Sequence, residues 1–475
     1  MSLSAYGRGQ LSNRRPAPDS LSPALTAFAD RIRALPDRYG RVTLIALAAI
    51  VLLGLVVRAY VVVEPVAHPA DDSHAYYALS KSLYEEGSYG GPTFDDSSDW
   101  SPGAPLLYAA AFYATGGPRE GTARIVEALL GAAAIVVVFL LGRRLGGRTA
   151  GLLAAFAVAV YPPFIHSTGE LMSEPPAVFT LPAAVLAFLW AGEQERLRAW
   201  LLPGLLFGLT AMFRPEYLLV GAAFVVLAAI RVGRTRGWKP GLAGAGLLLL
   251  ALALPIVPWT VRNAVVLDRL VPISTGGGKA LYVGTFLPAD GEYQRVKAIL
   301  VKRYEGRRLD PHSAALEAVN PTPLFDRVAE SRYPDLPRDS ALGKVGKQNL
   351  SKFFDEDPVG YAAMTIRKVG RMWSSGVGEA MSSTAGRVVQ IVIVALGLAG
   401  LVLLAVRRRW WELVAPATPI ALVTVVGAAS LAAPRRNEVL MTLVFPLAAM
   451  TVSRLVAAIS SGREWSPEQA SSPQS

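Results

Sequence analysis

The feature that most constrains this 475-residue chain is a series of about ten apolar runs, most of them as long as a bilayer is thick. A helix needs roughly 20 apolar residues to span the hydrocarbon layer. The composition agrees, because 52% of the residues are hydrophobic and only 17% are charged. The runs lie at about 42–63, 124–142, 149–165, 176–192, 199–213, 216–231, 241–260, 387–406, 411–433 and 438–458. The sequence therefore predicts an all-α polytopic membrane protein.

The short loops between the runs predict an orientation. Arginine and lysine concentrate in the N-terminal tail and in alternate loops, at 143–148, 196–198, 231–239 and 407–409. Such loops stay in the cytoplasm, which places both termini there. The net charge of +11 is distributed between the runs and not gathered on one face, so it favours contact with anionic lipid over nucleic acid.

This topology divides the chain into five parts. They are a disordered cytoplasmic tail without a signal peptide (1–41), a transmembrane catalytic module (42–260, with an outer loop at 64–123), an extracytoplasmic loop domain (261–386), C-terminal transmembrane helices (387–458) and a cytoplasmic tail (459–475). In the loop domain, residues 261–293 predict strands and turns, and residues 339–373 predict helices broken at Pro358. We therefore expect a small extracytoplasmic α/β segment.

The outer loop after the first run contains an acidic, aromatic stretch at 68–103. It opens with adjacent carboxylates, Asp71 and Asp72, and continues with apolar residues at helical spacing, which predicts a helix lying in the membrane interface. The run at 104–114 is too short to span and predicts a second interfacial or re-entrant helix. An acidic segment beside a membrane indicates the rim of a catalytic site.

Ionisable residues are costly within a bilayer, so their positions carry information. Here they gather where the runs meet the outer side, at Asp71, Asp72, Glu127, Glu170, Glu174, Arg214, Glu216, Arg262, Arg435, Arg436 and Glu438. Acids and arginines at one membrane face indicate an active-site cleft and not the mid-bilayer relay of a pump. Simpler roles remain open: the two aspartates as a solvated turn, Glu174 as a helix cap, and Arg214 and Arg262 as interface anchors.

Metal and nucleotide chemistry have weaker support. The chain has no cysteine, which excludes thiolate metal sites and disulfides. The four histidines, at 68, 74, 166 and 312, all fall on the outer side. The segment HPADDSH (68–74), with His166 and Glu170, forms a possible divalent metal site of no standard spacing. The segment STGGGK (274–279) lacks the spacing of a nucleotide-binding phosphate loop. No cofactor is therefore certain.

Several motifs in order carry a family resemblance. They are DDSHAYY (71–77), ELMSEP (170–175), FRPEYL (213–218), PWTVRN (258–263), VPISTGG (271–277) and the late Arg435–Arg436 pair. In this order and on one predicted side, they resemble the C-type (GT-C fold) membrane glycosyltransferases, over roughly residues 42–456. The most similar branch holds the protein O-mannosyltransferases and the aminoarabinose transferase of lipid A.

The resemblance implies an enzyme of the bacterial inner membrane, a hexosyl- or pentosyltransferase. It would move a sugar from a polyprenyl-phosphate donor to a cell-envelope glycan, lipid or protein on the extracytoplasmic face, with inversion. Asp72 is the expected base and Asp71 its competitor, because the usual Asp-Glu pair is Asp-Asp here. The implied substrate-binding residues are Tyr76, Tyr77, Trp100, Glu170, Glu174 and Glu216, and the implied ligands of the lipid phosphate are Arg214, Arg262, Arg435 and Arg436.

Three other functions remain open. A lipid-linked glycan transporter or flippase predicts internal repeats and mid-bilayer charges, which the sequence does not display. A ligase that uses a lipid-pyrophosphate donor differs from the leading hypothesis only in its donor. A membrane scaffold without catalysis would tolerate the loss of both aspartates.

Overall fold

The computed structural model describes residues 40–63, 71–90 and 98–460. Within these ranges the chain forms helices and turns and no β-strand. Its contacts divide it after Ala46: the first unit contributes only the start of the first helix to the described residues, and Leu47 onward forms one compact unit. The predicted tails, 1–41 and 459–475, fall almost wholly outside the described residues.

The α-helices run as follows: α1 Arg41–Val63, α2 Asp71–Glu85, α3 Gly103–Thr115, α4 Glu120–Val160, α5 Pro162–His166, α6 Glu174–Ala191, α7 Leu201–Phe213, α8 Tyr217–Arg236, α9 Trp238–Val266, α10 Gly277–Thr285, α11 Tyr293–Glu305, α12 Ala314–Glu317, α13 Thr322–Arg332, α14 Arg338–Glu356, α15 Pro358–Ser374, α16 Glu379–Ser382, α17 Thr384–Val406, α18 Trp410–Ala429 and α19 Arg435–Ser460.

Eight of the described helices are long and apolar enough to cross a membrane: α1, α4, α6, α8, α9, α17, α18 and α19. A shorter apolar segment, Leu197–Phe213, contains α7. The chain is thus an all-helical, multi-pass membrane protein, and every predicted apolar run falls on a helix. The number of crossings stays a prediction.

Helix α4 contains two of the predicted runs and reverses direction between them. Gly147 has a left-handed φ of 87°, which interrupts the helix. A Cβ at Gly151 would lie 2.8 Å from the carbonyl oxygen of Phe139, a contact that a straight helix cannot make. The two legs therefore pack against each other as a hairpin. The second leg ends at Val160, short of the predicted 165, because Pro162 and Pro163 begin a separate short helix.

The last helix, α19, is the central element of the bundle. Every residue from Asn437 to Thr451 is buried. The helix packs against α4, α17 and α6. Gly400 of α17 lets the backbones approach closely, because a Cβ there would lie 2.6 Å from the carbonyl oxygen of Leu447. The N-terminus of α19, with Arg435, is thereby held at one end of the bundle.

The helices predicted in the first outer loop are both present. The segment that begins with the two aspartates forms α2, and the short apolar run forms α3. The rings of Tyr77 and Phe112 meet edge to face at 6.2 Å, so the two helices pack against each other. Helix α3 ends at Gly116, whose φ of 74° lets the chain turn away.

The predicted α/β segment is wrong in its strands, because residues 267–383 contain only helices and turns. The stretch at 271–273, where strands were predicted, has no strand partner among the described residues. Its carbonyl oxygens accept hydrogen bonds from side chains of α9 instead, Ile273 from Trp259 at 2.8 Å and Val271 from Asn263 at 3.0 Å. The helices beyond it share a core of their own that includes Val283, Leu300, Phe325, Leu342 and Val345. The predicted break at Pro358 is confirmed.

Candidate functional site

The candidate site centres on Arg435, the first residue of α19. Its Nη1 donates to Asp72 Oδ2 at 2.5 Å. Its Nε donates to Glu174 Oε1, and its Nη2 lies 3.1 Å from Glu174 Oε2. Arg435 therefore joins Asp72 of α2 to Glu174 of α6. These two acids are far apart in sequence, and they meet at the end of the bundle where α19 begins.

A second guanidinium extends the network. Arg214 donates to Glu174 Oε1 at 2.5 Å and to Glu216 Oε1 at 2.9 Å. It stands between α7 and α8, where Pro215 cannot continue a helix and the chain turns back. Part of the predicted set of acids and arginines is thus brought together as one chain of ion pairs, which runs from Asp72 through Arg435, Glu174 and Arg214 to Glu216.

The carboxylates in this network differ in access to solvent. The Glu174 side chain is 1% exposed and the Asp72 side chain is 44% exposed. The second oxygen of Asp72, Oδ1, lies 3.4 Å from Trp100 Nε1, a long contact. Of the two carboxylates that bind Arg435, only Asp72 can therefore meet a substrate without rearrangement.

Electrostatics keep the accessible carboxylate ionised. Burial by itself would raise the pKa of Asp72, but the ion pair and hydrogen bond with Arg435 outweigh it and hold the pKa below the ordinary value of 3.8. Glu216 behaves in the same way, since burial opposes ionisation while Arg214 and Arg436 lower its pKa. Asp72 is consequently a carboxylate, able to accept a proton, at neutral pH.

Arg436 lies next to the network and has a free donor. It interacts electrostatically with Glu216. Its Nη1 is buried and has no hydrogen-bond partner among the described residues. An unsatisfied buried guanidinium group is costly, so this atom indicates a place for an anion or an ordered water.

The two predicted aromatic residues of α2 serve packing in this structure. Tyr76 is 5% exposed, and its hydroxyl lies 3.4 Å from Ser101 Oγ. Tyr77 donates to the carbonyl oxygen of Pro118 at 2.7 Å. Tyr76 is therefore buried and Tyr77 is half-buried, and sugar binding by either residue stays a prediction. Trp100 is the predicted aromatic residue that reaches the network, through the contact of its indole nitrogen with Asp72.

Two predicted charged residues lie apart from the network. Glu170 pairs with His166 at 3.3 Å, and this bond raises the pKa of His166. The backbone oxygen of Glu170 accepts a hydrogen bond from Ser73 Oγ, so its loop braces α2 beside Asp72. Arg262 donates to the carbonyl oxygen of Tyr89 at 2.8 Å and lies over the Tyr89 ring. Arg262 thus helps to fix the outer loop.

The metal hypothesis stays a prediction. Among the described residues, no three histidine, aspartate or glutamate side chains come together as a metal site. His68 and the side chain of Asp71, which belong to the predicted cluster, fall outside the described part of the chain.

Glu127 has a buried partner, Tyr108, that the sequence did not predict, and the pair supports the loop before α6. The Tyr108 hydroxyl donates to Glu127 Oε1 at 2.5 Å, and the Met172 backbone N–H donates to the same oxygen at 3.1 Å. A carboxylate within an apolar run was the available signal, because a buried Glu127 needs partners. This pair holds the turn from which Glu174 enters the network.

Comparisons with known proteins bear on the fold of the chain. Residues 99–259 match a family model described as dolichyl-phosphate-mannose-protein mannosyltransferase, which covers about a third of the chain. No curated protein sequence gives a significant match.

Solved structures extend the likeness to nearly the whole chain. The archaeal oligosaccharyltransferase AglB from Archaeoglobus fulgidus, in complex with an inhibitory peptide and a dolichol-phosphate, superposes with a TM-score of 0.52 at 14% identity, over 90% of this chain and 52% of that one. The same enzyme tethered to an acceptor peptide gives 0.51 at 13% identity, over 93% and 53%. The chain has the C-type glycosyltransferase fold.

The predicted resemblance is therefore confirmed at the level of fold. ArnT from Cupriavidus metallidurans bound to undecaprenyl phosphate is also similar, with a TM-score of 0.40 at 15% identity over 87% of this chain and 79% of that one. The chain spans about half the length of the oligosaccharyltransferases that it matches. Its C-type fold places the ion-pair network at the end of the bundle where α2, α6 and α19 meet.

Proposed function

We propose that the chain is a membrane glycosyltransferase that moves a sugar from a polyprenyl-phosphate donor to a hydroxyl acceptor on the extracytoplasmic face, with inversion at the anomeric carbon. The observation that carries this proposal is the arrangement at Arg435. One accessible carboxylate, Asp72, stands beside a cluster of guanidinium groups at one end of a lipid-embedded bundle. Glycosyl transfer from a lipid phosphate needs both kinds of group.

The carboxylate supplies the base. The acceptor hydroxyl gives its proton to Asp72 as its oxygen forms the bond to the anomeric carbon, a step worth typically 10²–10⁴-fold in rate. Asp72 Oδ2 is held by Arg435, so Oδ1, with only the long Trp100 contact, is the oxygen for the acceptor. A single base opposite the leaving group produces inversion.

The guanidinium groups supply the other half of the reaction. The bond from the anomeric carbon to the phosphate oxygen breaks, and the lipid phosphate leaves with the electron pair and one additional negative charge. Preorganised cations stabilise such developing charge. Arg435 uses three of its five N–H groups on the two carboxylates. Arg436 Nη1 has no described partner, so donors remain for the phosphate.

A transfer assay in detergent tests this proposal. Purified protein receives a panel of radiolabelled polyprenyl-phosphate sugars with a cell-envelope extract as acceptor. We expect wild-type protein to transfer one of the sugars and Asp72→Asn to be slower by about 10²-fold or more, because the amide cannot accept the proton. The matched variant is Asp71→Asn, which removes the neighbouring carboxylate and should retain most of the activity.

Each alternative gives a different result. Retained configuration in the product would exclude the single-base mechanism. Loss of activity in Asp71→Asn alone would move the base to that residue. If labelled lipid crosses proteoliposome membranes and no sugar is transferred, a transporter replaces the enzyme. Turnover with a lipid-pyrophosphate donor alone would favour the ligase.

A further inference from the structure

The glycine-rich segment 274–279, which is not a nucleotide loop by its spacing, lies against the candidate site. The Thr275 backbone N–H donates to the carbonyl oxygen of Ser98 at 2.7 Å, and the Thr275 hydroxyl donates to Asp99 Oδ1 at 2.6 Å. The next residue after Asp99 is Trp100, whose indole faces Asp72. The segment is therefore fastened to the same piece of chain that contacts the proposed base.

Two glycines fix how this segment enters α10. Gly276 has a left-handed φ of 104°. A Cβ at Gly278 would lie 1.8 Å from the backbone oxygen of Asp339, so only glycine fits there. Asp339 Oδ1 accepts hydrogen bonds from the backbone N–H groups of Gly278 at 2.8 Å and Lys279 at 3.1 Å. Since Asp339 already occupies these N–H groups, the cationic group that this helix start can offer is the side chain of Lys279.

Lys279 is exposed and makes no ion pair among the described residues. Its Nζ lies 5.8 Å over the ring of Phe325. Phe325 belongs to the helical segment 267–383, which is called the outer helical segment below. Burial raises the pKa of Asp72, and the charge of Lys279 adds to the larger effect of Arg435 in lowering it. The charge of Lys279 therefore acts on the site. An uncommitted cation thus stands within electrostatic reach of the proposed base.

The charges already in the network are matched. Its carboxylates are Asp72, Glu174 and Glu216, and the guanidinium groups facing them are Arg214, Arg435 and Arg436. A donor phosphodiester brings one further negative charge. Bond cleavage adds another to the departing lipid phosphate while the acceptor proton neutralises Asp72, so the surplus stays at one negative charge. A balanced network needs an additional cation to hold that charge.

We propose that Lys279 is this cation and that it binds the polyprenyl phosphate. The segment 274–279 thereby links the outer helical segment to the site. The inference rests on the proposed function and adds a residue to it. The Lys279 ammonium pairs with the donor phosphate and with the phosphate that leaves, while the acceptor proton still goes to Asp72. No additional reactant enters the step.

Equilibrium binding of undecaprenyl phosphate to the purified full-length protein in detergent tests the residue without requiring turnover. We expect Lys279→Gln to weaken binding about tenfold, the loss of one charge-assisted contact. Lys279→Arg should largely restore it. Lys347→Gln, an exposed lysine on α14 of the same segment, is the matched control and should bind as wild type does.

The transfer assay then separates this inference from the proposed function. We expect Lys279→Gln to raise KM for the donor and to lower kcat, because the residue contacts the phosphate both before and after cleavage. Wild-type binding and kinetics in Lys279→Gln would overturn the inference and leave the proposed function standing. If binding weakens in Lys279→Gln but wild-type protein transfers no sugar, the phosphate site stands and the proposed function fails. Equal competition by inorganic phosphate would overturn a lipid-specific site.

Discussion

At the scale of single residues, the site depends on the contrast between two carboxylates that share one arginine. Glu174 is sealed from solvent and binds both Arg214 and Arg435, whereas Asp72 binds Arg435 alone and is open. A buried carboxylate between two cations is a structural centre, because each charge depends on the others for solvation. The open carboxylate is free to exchange its partner for a substrate.

This contrast predicts the effect of Glu174→Gln on stability. The substitution leaves two guanidinium groups without their carboxylate, and the loss of one partner of a buried pair costs about 3 kcal/mol or more. We expect a clear fall in the thermal unfolding midpoint of the protein in detergent. The control is Glu193→Gln, which breaks the ion pair with Arg144 at a side chain that is 52% exposed and should cost less than about 1 kcal/mol. Equal small shifts in both variants would contradict a structural role for Glu174.

At the scale of elements, small residues determine which helices approach closely. Helix α7 has only 13 residues, too few to cross the bilayer without support from its neighbours. Gly204 and Gly208 lie one turn apart on the face that meets α9. A Cβ at these positions would lie 2.2 Å and 2.4 Å from the carbonyl oxygens of Leu248 and Leu252. This is the close backbone contact that small residues permit between membrane helices.

We expect Gly208→Leu to separate α7 from α9 and to lower the thermal unfolding midpoint. Activity should fall as well, because α7 leads directly into Arg214. Gly246→Leu on α9 is the control, since a Cβ there meets no atom within 4 Å and the side chain has open space. The comparison uses unfolding midpoints and transfer rates of the two variants in one detergent. An unchanged midpoint in Gly208→Leu would show that the two helices do not depend on this contact.

At the scale of the whole molecule, Lys368 joins the helical segment 267–383 to the membrane bundle. This fully buried side chain donates to the carbonyl oxygen of Gly284 at the end of α10, at 2.7 Å. It also donates to the carbonyl oxygen of Ser430 at the end of α18, at 2.9 Å. Burial, aided by repulsion from Arg371, lowers the pKa of Lys368 from 10.5 to about 8. One amine thus couples the docking of the two parts to pH.

The sign of this coupling is an increase in stability with pH. Between the folded pKa of about 8 and the unfolded value of 10.5, the unfolded chain binds more protons than the folded protein does. Raising the pH therefore favours the folded protein. We expect Lys368 to contribute about 2 kcal/mol to this increase between pH 7.5 and pH 9.5.

The measurement is the thermal unfolding midpoint at both pH values for wild type and Lys368→Met, which removes the titrating amine. Other groups titrate equally in both proteins, so the difference between them isolates Lys368. Parallel pH dependences in the two proteins would rule out the coupling.

Much of the fold follows from local sequence. Apolar length alone located the long apolar helices, including both legs of the α4 hairpin, and it also located the short α7. A bilayer requires a long apolar helix wherever it is crossed. The amphipathic α2, the short α3 and the break at Pro358 followed from periodicity and from the missing amide hydrogen of proline. The predicted strands failed because the side chains of Trp259 and Asn263, 14 and 8 residues before their partners, satisfy carbonyl groups at 271–273. Strand propensity alone does not reveal such contacts.

For the site, the sequence by itself determined the kinds of residue and the end of the bundle where they gather, since charges avoid the hydrocarbon and cluster beside it. Only the tertiary structure decided the partners. Asp72 and Arg435 are 363 residues apart, and the buried packing of α19 against α4, α6 and α17 brings them together. The same packing seals Glu174, leaves Asp72 open and sends Arg262 elsewhere. Access to solvent and choice of partner are properties of the assembled bundle, because both depend on surfaces that exist only after the helices pack.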